Sequence, residues 1–155
     1  MPKLLGLDVG SKRIGVSISD SSLKVALGLT VIHRTHKRSD ISKLIEIIDE
    51  NDAVGIVVGL PLNLKGERGF IAQQVEQFVE HCKAKIPKRF VYWDERFTTL
   101  QIEKQMLSDG IKKNKARNRT LDEQAAQLIL QGYLDFKGGQ NLNEWLEEHV
   151  VNFSD

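Results

Sequence analysis

Residues 3–10 form an almost uninterrupted apolar run, KLLGLDVG, and this run constrains the fold of the chain more than any other feature. Such a run, followed by turn-forming residues, is typical of a strand that is covered on both faces and lies inside a sheet. Side chains alternate along a strand. One face therefore carries Leu5, Leu7 and Val9, and the other carries Leu4, Gly6 and Asp8. The sequence predicts a central strand with a single carboxylate on one face.

The remaining periodicity predicts the element order β-β-β-α-β-α-β-α-α. After the first strand, the predicted strands are a hairpin strand at 14–19, then Val25 to His33, Val54 to Leu60 and 90–93. The predicted helices are one capped by Asp40, one with apolar residues from Ile71 to Ile86, two opened by the capping boxes Thr98/Gln101 and Thr120/Glu123, and a short helix within 141–151. Right-handed crossovers then give an α/β fold with a mixed five-stranded sheet, three antiparallel strands followed by parallel ones, and helices on both faces.

The length of 155 residues suits one compact domain, predicted over residues 1–137 with a C-terminal extension over 138–155. A formal net charge of +1 says nothing about nucleic acid, so that question depends on local clusters. The single cysteine, Cys82, excludes an internal disulfide framework, and its place on an apolar helix face indicates a buried residue. No apolar run is long enough to span a bilayer and the N-terminal residues do not resemble a signal peptide, so we expect a cytoplasmic protein.

Asp8 is the most informative polar residue of the chain. A carboxylate within an apolar strand loses hydration and needs a hydrogen-bonding, cationic or metal partner. The next strand offers Gly15 and Ser17, which leave room for a ligand on this face. The alternative is an Asp that bonds the backbone of its own turn, and Asp8 alone does not decide between the two.

Asp94 and Glu95 end the last predicted strand, and ligands of α/β sheets gather beyond the carboxyl ends of strands. Because side chains alternate, only one of the two is placed to face Asp8. We choose Glu95 and hold Asp94 in reserve. The alternative is that both acids solvate the strand end, with Arg96 as a salt-bridge partner.

Asp122 is predicted in the first turn of the fourth helix, on the side that carries Ala125 and Ala126. These small residues allow the helix to approach the sheet closely. Taken alone, Asp122 is better explained by complementation of the helix dipole, and only its combination with Asp8 and Glu95 reverses that interpretation.

Three carboxylates from two strands and a helix match the ligand preference of Mg²⁺ or Mn²⁺. Two such ions about 4 Å apart activate water and stabilise the leaving oxygen of a displacement at phosphorus. Zinc is disfavoured because one cysteine and four dispersed histidines form no recognisable ligand set.

A polar loop is predicted from Gly110 to Arg119, and it leads directly into Asp122. Five cations without an acid make it a candidate nucleic-acid contact: Lys112, Lys113, Lys115, Arg117 and Arg119. Lys12 and Arg13 in the first turn are further candidates, whereas the charges at residues 34–38 are interpreted as solvated surface. Asn63 either bonds substrate at the sheet rim or shapes its own turn, and the sequence leaves both open.

Four segments together resemble a known family: LGLDVGSKRIGVSISD, IVVGLPLN, the DERFTT of residues 94–99 and the TLDEQAAQLIL of residues 120–130. Over residues 3–136 the chain is similar to the pre-16S ribosomal RNA nucleases (YqgF family), also described as Holliday-junction-resolvase-like proteins. The resemblance implies a ribonuclease-H-like fold, an endonuclease-type hydrolase that processes the 5′ end of pre-16S rRNA during ribosome biogenesis, and catalytic acids at Asp8, Glu95 and Asp122. It also implies pre-16S rRNA, and with it the small ribosomal subunit precursor, as partner.

Other functions stay open at this level. A Holliday-junction DNA resolvase uses the same chemistry, and a non-catalytic RNA-binding or transcription-associated factor would need only the basic loop. The first hairpin also resembles that of actin-like ATPases and sugar kinases, although 155 residues hardly accommodate their second domain. Whether the chain is a monomer or a homodimer is not indicated by the sequence.

Overall fold

The computed structural model describes residues 2–63, 65–95 and 115–137, and the side chains of the last range from Leu121 onwards. These residues form five strands and three helices. The elements are β1 (Lys3–Val9), β2 (Arg13–Ser19), β3 (Ala26–His33), α1 (Lys37–Asn51), β4 (Ala53–Leu60), α2 (Phe70–Lys83), β5 (Arg89–Asp94) and α3 (Lys115–Lys137).

The five strands form one mixed sheet in the order β3-β2-β1-β4-β5. β1 pairs antiparallel with β2, which pairs antiparallel with β3, whereas β4 runs parallel to both β1 and β5. The predicted architecture is confirmed, and the apolar run of residues 3–10 is the central strand because both of its edges are hydrogen-bonded to neighbours.

Each face of the sheet is covered by helices and carries its own apolar core. Leu5 and Leu7 belong to the core under α1 and α2, and Leu4 belongs to the core under α3. All three are fully buried, and each buried leucine contributes about 1.5–3 kcal/mol to stability. The alternation along β1 therefore points Asp8 to the face covered by α3.

The helix α3 lies unusually close to the sheet because small residues face it. A Cβ added at Gly15 would overlap the backbone carbonyl oxygen of Asp122, and one added at Gly6 would lie 2.8 Å from Leu130 Cβ. The Ser17 hydroxyl donates a 2.7 Å hydrogen bond to the carbonyl oxygen of Ala126. The space at Gly15 and Ser17 that the sequence suggested for a ligand is thus filled by helix backbone.

Two helix starts differ from the predictions. α1 begins at Lys37, and its N-cap is His36, whose Nδ1 accepts a hydrogen bond from the Ser39 amide. The prediction that Asp40 is the cap was wrong, because this carboxylate is buried in an ion pair with Arg34, at 3.0 Å.

α3 begins at Lys115 rather than at Thr120. The predicted loop was therefore wrong over residues 115–119, and Asp122 lies in the third turn of the helix instead of the first. Lys, Ala and Arg are good helix formers, so the helix extends through a segment that a local capping motif seemed to end.

The apolar face of α2 is confirmed for Val75, Phe78, Val79 and Cys82, but Ile71 is 62% exposed, contrary to prediction. No helix among the described residues is long and apolar enough to cross a membrane. The predicted helices opened by Thr98 and within 141–151, and the extension over 138–155, lie outside the described residues.

Candidate active site

Asp8 lies near the carboxyl end of the central strand and pairs in register with Gly15 of β2. Its side chain is half-buried on the face that α3 covers. Because Gly15 has no side chain, the strand neighbour of Asp8 offers no group that could shield the carboxylate. Its partners come instead from the end of β5 and from α3.

Glu95 follows β5 directly, and its amide donates a 3.1 Å hydrogen bond to the carbonyl oxygen of Leu60. This bond fixes the strand end beside β4. A Cβ added at Gly59 would overlap the Glu95 carboxyl group, so the glycine leaves the volume that this side chain occupies. The Glu95 side chain thereby reaches Asp8 and forms a hydrogen bond with it.

The Asp8–Glu95 contact has a clear electrostatic consequence. Burial, the negative charge of Asp8, their hydrogen bond and the charge of Asp94 together raise the pKa of Glu95 to about 9. Burial also raises the pKa of Asp8, which the bond with Glu95 partly offsets and the charge of Asp122 reinforces. Two carboxyl groups this close share a proton near neutral pH unless a cation replaces it.

Asp122 approaches the same site from α3, and a cation holds it. Its Oδ2 lies 2.6 Å from Arg13 Nε. Both atoms are buried, yet they are not aligned as a hydrogen bond, and neither has a hydrogen-bond partner among the described residues. This Asp122 oxygen is thus a buried acceptor whose one close partner is a cation.

The chemistry of these groups fits a divalent cation, although the side chains do not converge as a ready ligand set. Within residues 2–63, 65–95 and 121–137, no three His, Cys, Asp or Glu side chains are placed to hold a metal ion as they stand. The carboxyl pair of Asp8 and Glu95 and the buried Asp122 oxygen are hard oxygen donors of the kind that such a cation prefers. Asp8, Glu95 and Asp122 are the residues that would hold it.

The predicted nucleic-acid contacts are placed differently from one another. Arg13 lies at the acid site, whereas Lys12 lines a cavity on the opposite face of the sheet. Asn63 Oδ1 accepts 2.9 Å hydrogen bonds from the amides of Lys65 and Glu67, so this side chain shapes its own turn.

The cations before Asp122 fall partly outside the described residues, as Lys112 and Lys113 do. Lys115, Arg117 and Arg119 belong to the backbone of the first turns of α3. Arg34, interpreted from sequence as solvated surface, is instead a structural residue: its Nη1 donates a 2.8 Å hydrogen bond to the carbonyl oxygen of Gly10.

Cys82 bears on an alternative chemistry, and the Arg13–Asp122 ion pair bears on what the sequence could reveal. Cys82 is fully buried, which confirms the prediction, and burial raises the pKa of its thiol to about 12, which disfavours the thiolate form that a nucleophile needs. The Arg13–Asp122 ion pair was missed, because its partners are 109 positions apart and no local pattern joins them. The sequence carries only an indirect signal of this contact: Gly15 and the alanines beside Asp122 are small residues that allow the helix to approach the sheet.

Comparison with known proteins gives consistent results. The sequence profile of the RuvX family, described as "Holliday junction resolvase", matches residues 2–136. A protein of Thermoanaerobacter pseudethanolicus named "Putative pre-16S rRNA nuclease" is 41% identical over 133 residues, covering 86% of this chain and 96% of its own length. A protein of the same name from Carboxydothermus hydrogenoformans is 42% identical over 135 residues, covering 87% and 97%.

A solved structure resembles the fold as a whole. T. thermophilus RuvC, in complex with a Holliday junction substrate, superposes with a TM-score of 0.53 at 12% identity, covering 90% of this chain and 98% of that one. At this identity the likeness shows the fold alone, and it confirms the predicted ribonuclease-H-like α/β architecture.

Proposed function

This chain belongs to the RuvX family, and on that premise we propose that Asp8, Glu95 and Asp122 form a metal-dependent active site that hydrolyses phosphodiester bonds of nucleic acid. The single observation that carries the proposal is the hydrogen-bonded pair of Asp8 and Glu95 with Asp122 close enough to raise the pKa of Asp8. An ordinary fold gains nothing from collecting three acids at one half-buried place, because their mutual repulsion costs stability.

The proposed role of the acids is to hold two Mg²⁺ or Mn²⁺ ions, because three carboxylates supply enough oxygens for a pair. When bound, such ions lower the pKa of water and offset the charge that develops on the leaving oxygen. Asp8 and Glu95 would release their shared proton on binding. Asp94 stays in reserve as a further ligand beside Glu95.

Arg13 would then have a second partner. Its guanidinium lies against Asp122, and 40% of the Arg13 side-chain surface is exposed. If Asp122 held a metal ion, the Arg13 guanidinium would be available for a phosphate oxygen, which it matches in geometry. Lys115, Arg117 and Arg119 would add positive charge at the start of α3, in line with the basic segment predicted from sequence.

For the substrate we propose the 5′ end of pre-16S rRNA, since the relatives that are about 41% identical carry that name. With this substrate we also propose that the protein acts in the cytoplasm and that the small ribosomal subunit precursor is a partner. We propose that a single chain supplies all three acids, so that cleavage does not require a dimer.

The test compares wild type with Asp8→Asn, Glu95→Gln and Asp122→Asn on a 16S rRNA precursor in Mg²⁺, Mn²⁺ or EDTA. Each variant should lose at least about a hundredfold in cleavage rate, because each removes a charged ligand. Asp49→Asn and Glu50→Gln are matched controls, since both acids are exposed on α1. Cleavage that survives in all three variants, or in EDTA, would refute the site.

A second candidate substrate is a branched DNA junction, which the description of the matching family favours. The same variants are assayed on a four-way DNA junction under the same conditions. A preference of at least tenfold in kcat/KM for the RNA precursor supports the proposal, and the reverse preference identifies a DNA resolvase. Binding of RNA without any cleavage would instead indicate a non-catalytic factor.

A further inference from the structure

A cavity of about 650 Å³ lies on the face of the sheet opposite the acids, between the β1–β2 turn, the start of α1 and the side of α2 that carries Gln74 and Phe78. Its volume is within the range of about 300–1,000 Å³ that is usual for small-ligand sites. We propose that this cavity binds one unpaired nucleotide of the nucleic-acid substrate; the proposal rests on the function proposed above and names the form of substrate it takes.

The charge of the cavity fits a phosphate group. Lys12, Lys37 and two histidines line it, and the acid among its lining residues, Asp40, is neutralised by Arg34 at 3.0 Å. Asp40 also accepts a hydrogen bond from the Thr35 amide. Within the described part of the chain neither lysine is paired with an acid, so both ammonium groups are available for an anion.

The walls of the cavity fit a base. Phe78 and Val75 form an apolar floor, and the rim residue Ile71 is 62% exposed although it is apolar. Gln74 and Gln77 add amide groups that both donate and accept hydrogen bonds, as the edge of an unpaired base requires. A site for phosphate alone would need no apolar floor, and a metal site would need free acids.

The turn between β1 and β2 joins the cavity to the acid site. Lys12 lines the cavity, whereas its neighbour Arg13 contacts Asp122 on the other face of the sheet. Arg34 holds this turn in place, because its amide donates a 2.8 Å hydrogen bond to the Lys12 carbonyl oxygen and its Nη1 donates to Gly10. A strand that crosses the turn therefore contacts both sites, which favours a substrate segment that is single-stranded here.

The test measures binding of a fluorescent single-stranded RNA oligonucleotide in EDTA, where no cleavage occurs. The double variant Lys12→Gln/Lys37→Gln should weaken binding about tenfold and make the salt dependence shallower by about 0.7 in the log–log slope, since single strands lose about 0.7 per phosphate contact and the cavity takes one phosphate. Arg38→Gln is the matched control, because Arg38 is exposed beside Lys37 but does not line the cavity. Equal losses in both variants would overturn the proposal.

A second variant separates base from phosphate. Gln74→Ala/Gln77→Ala should weaken binding about threefold without changing the salt slope, whereas Gln73→Ala, on the exposed outside of α2, should not weaken it. All these positions are exposed, so the variants should fold. A readout that needs no variant is the change in the NMR chemical shifts of the Gly10 and Thr35 amides when oligonucleotide is added to wild type.

A mononucleotide distinguishes the source of the ligand. Weak shifts of the same amides by uridine monophosphate, together with stronger shifts by the oligonucleotide, support a substrate strand. Shifts by the mononucleotide alone would identify a free-nucleotide site and overturn the proposal. If substitution of the acids stops cleavage but substitutions in the cavity leave oligonucleotide binding unchanged, only this inference fails. If substitutions in the cavity weaken binding but the acid variants still cleave, only the proposed active site fails.

Discussion

Replacing Glu95 by Gln should make the metal-free protein more stable at neutral and alkaline pH while abolishing cleavage. The native pKa of Glu95 is raised to about 9 from an ordinary value of 4.5. Between these values the native state holds a proton that the unfolded state has released. The stabilisation by this proton is complete below pH 4.5 and is lost as pH rises through about 9.

The size of the effect follows from that proton. Because the native state holds one proton more than the unfolded state, the free energy of unfolding falls by up to about 1.4 kcal/mol for each unit by which the pH rises. Between pH 5.5 and pH 8 the free energy of unfolding can therefore fall by at most about 3.4 kcal/mol. Because Glu95 titrates together with Asp8, we expect a smaller fall of about 2 kcal/mol. The glutamine amide keeps a hydrogen bond to Asp8 without titrating. The free energy of unfolding of the variant should therefore change little over this pH range.

The assay is urea unfolding at pH 5.5, 6.5, 7.5 and 8.0 in EDTA, with Glu50→Gln as a control for loss of an exposed acid. Wild type and Glu50→Gln should decline in parallel, and Glu95→Gln should stay above them by a margin that grows with pH. Parallel curves for all three proteins would refute the shared proton. Added Mn²⁺ should stabilise wild type more than Glu95→Gln, because the charge that binds the ion is gone in the variant.

Two further substitutions test the packing around the site. Gly15→Ala should destabilise the protein by about 2 kcal/mol and slow cleavage, because the new Cβ overlaps the backbone of Asp122 and the helix must shift. Urea unfolding measures the loss, and Gly69→Ala is the control because a Cβ at that position meets nothing within 4 Å. Arg34→Met should cost about 3 kcal/mol by leaving Asp40 buried and unpaired, and adding Asp40→Asn should recover part of the loss. Gly15→Ala unfolding like its control, or a double variant less stable than Arg34→Met, would contradict these accounts.

The sheet and half of the site were predictable from sequence because they depend on local alternation. The apolar face of β1 and the position of Glu95 after β5 follow from the two-residue period of strands, and the structure joins Asp8 to Glu95 as that period indicated. The place of Asp122 near them was suggested by its small neighbour Ala126, which is fully buried against the sheet.

The predictions that failed were those in which a tertiary contact overrides a local motif. Asp40 has the composition of an N-cap, but Arg34 draws it into the interior and the ring of His36 takes its place. Thr120 has capping-box spacing, but the helix continues through it from Lys115. Contacts between residues far apart in the chain leave no periodic trace, so they are visible only in the folded structure.

The hydrogen bond from Ser17 to Ala126 spans 109 residues and attaches α3 to strands that are synthesised first. Residues 3–95, which carry Asp8 and Glu95, are synthesised before the helix that carries Asp122, so the three acids come together only when α3 packs on the sheet. The acid cluster is therefore among the last parts of the described chain to assemble. A chain that still lacks α3 carries no complete acid cluster, so the proposed cleavage cannot begin before the last described helix has docked.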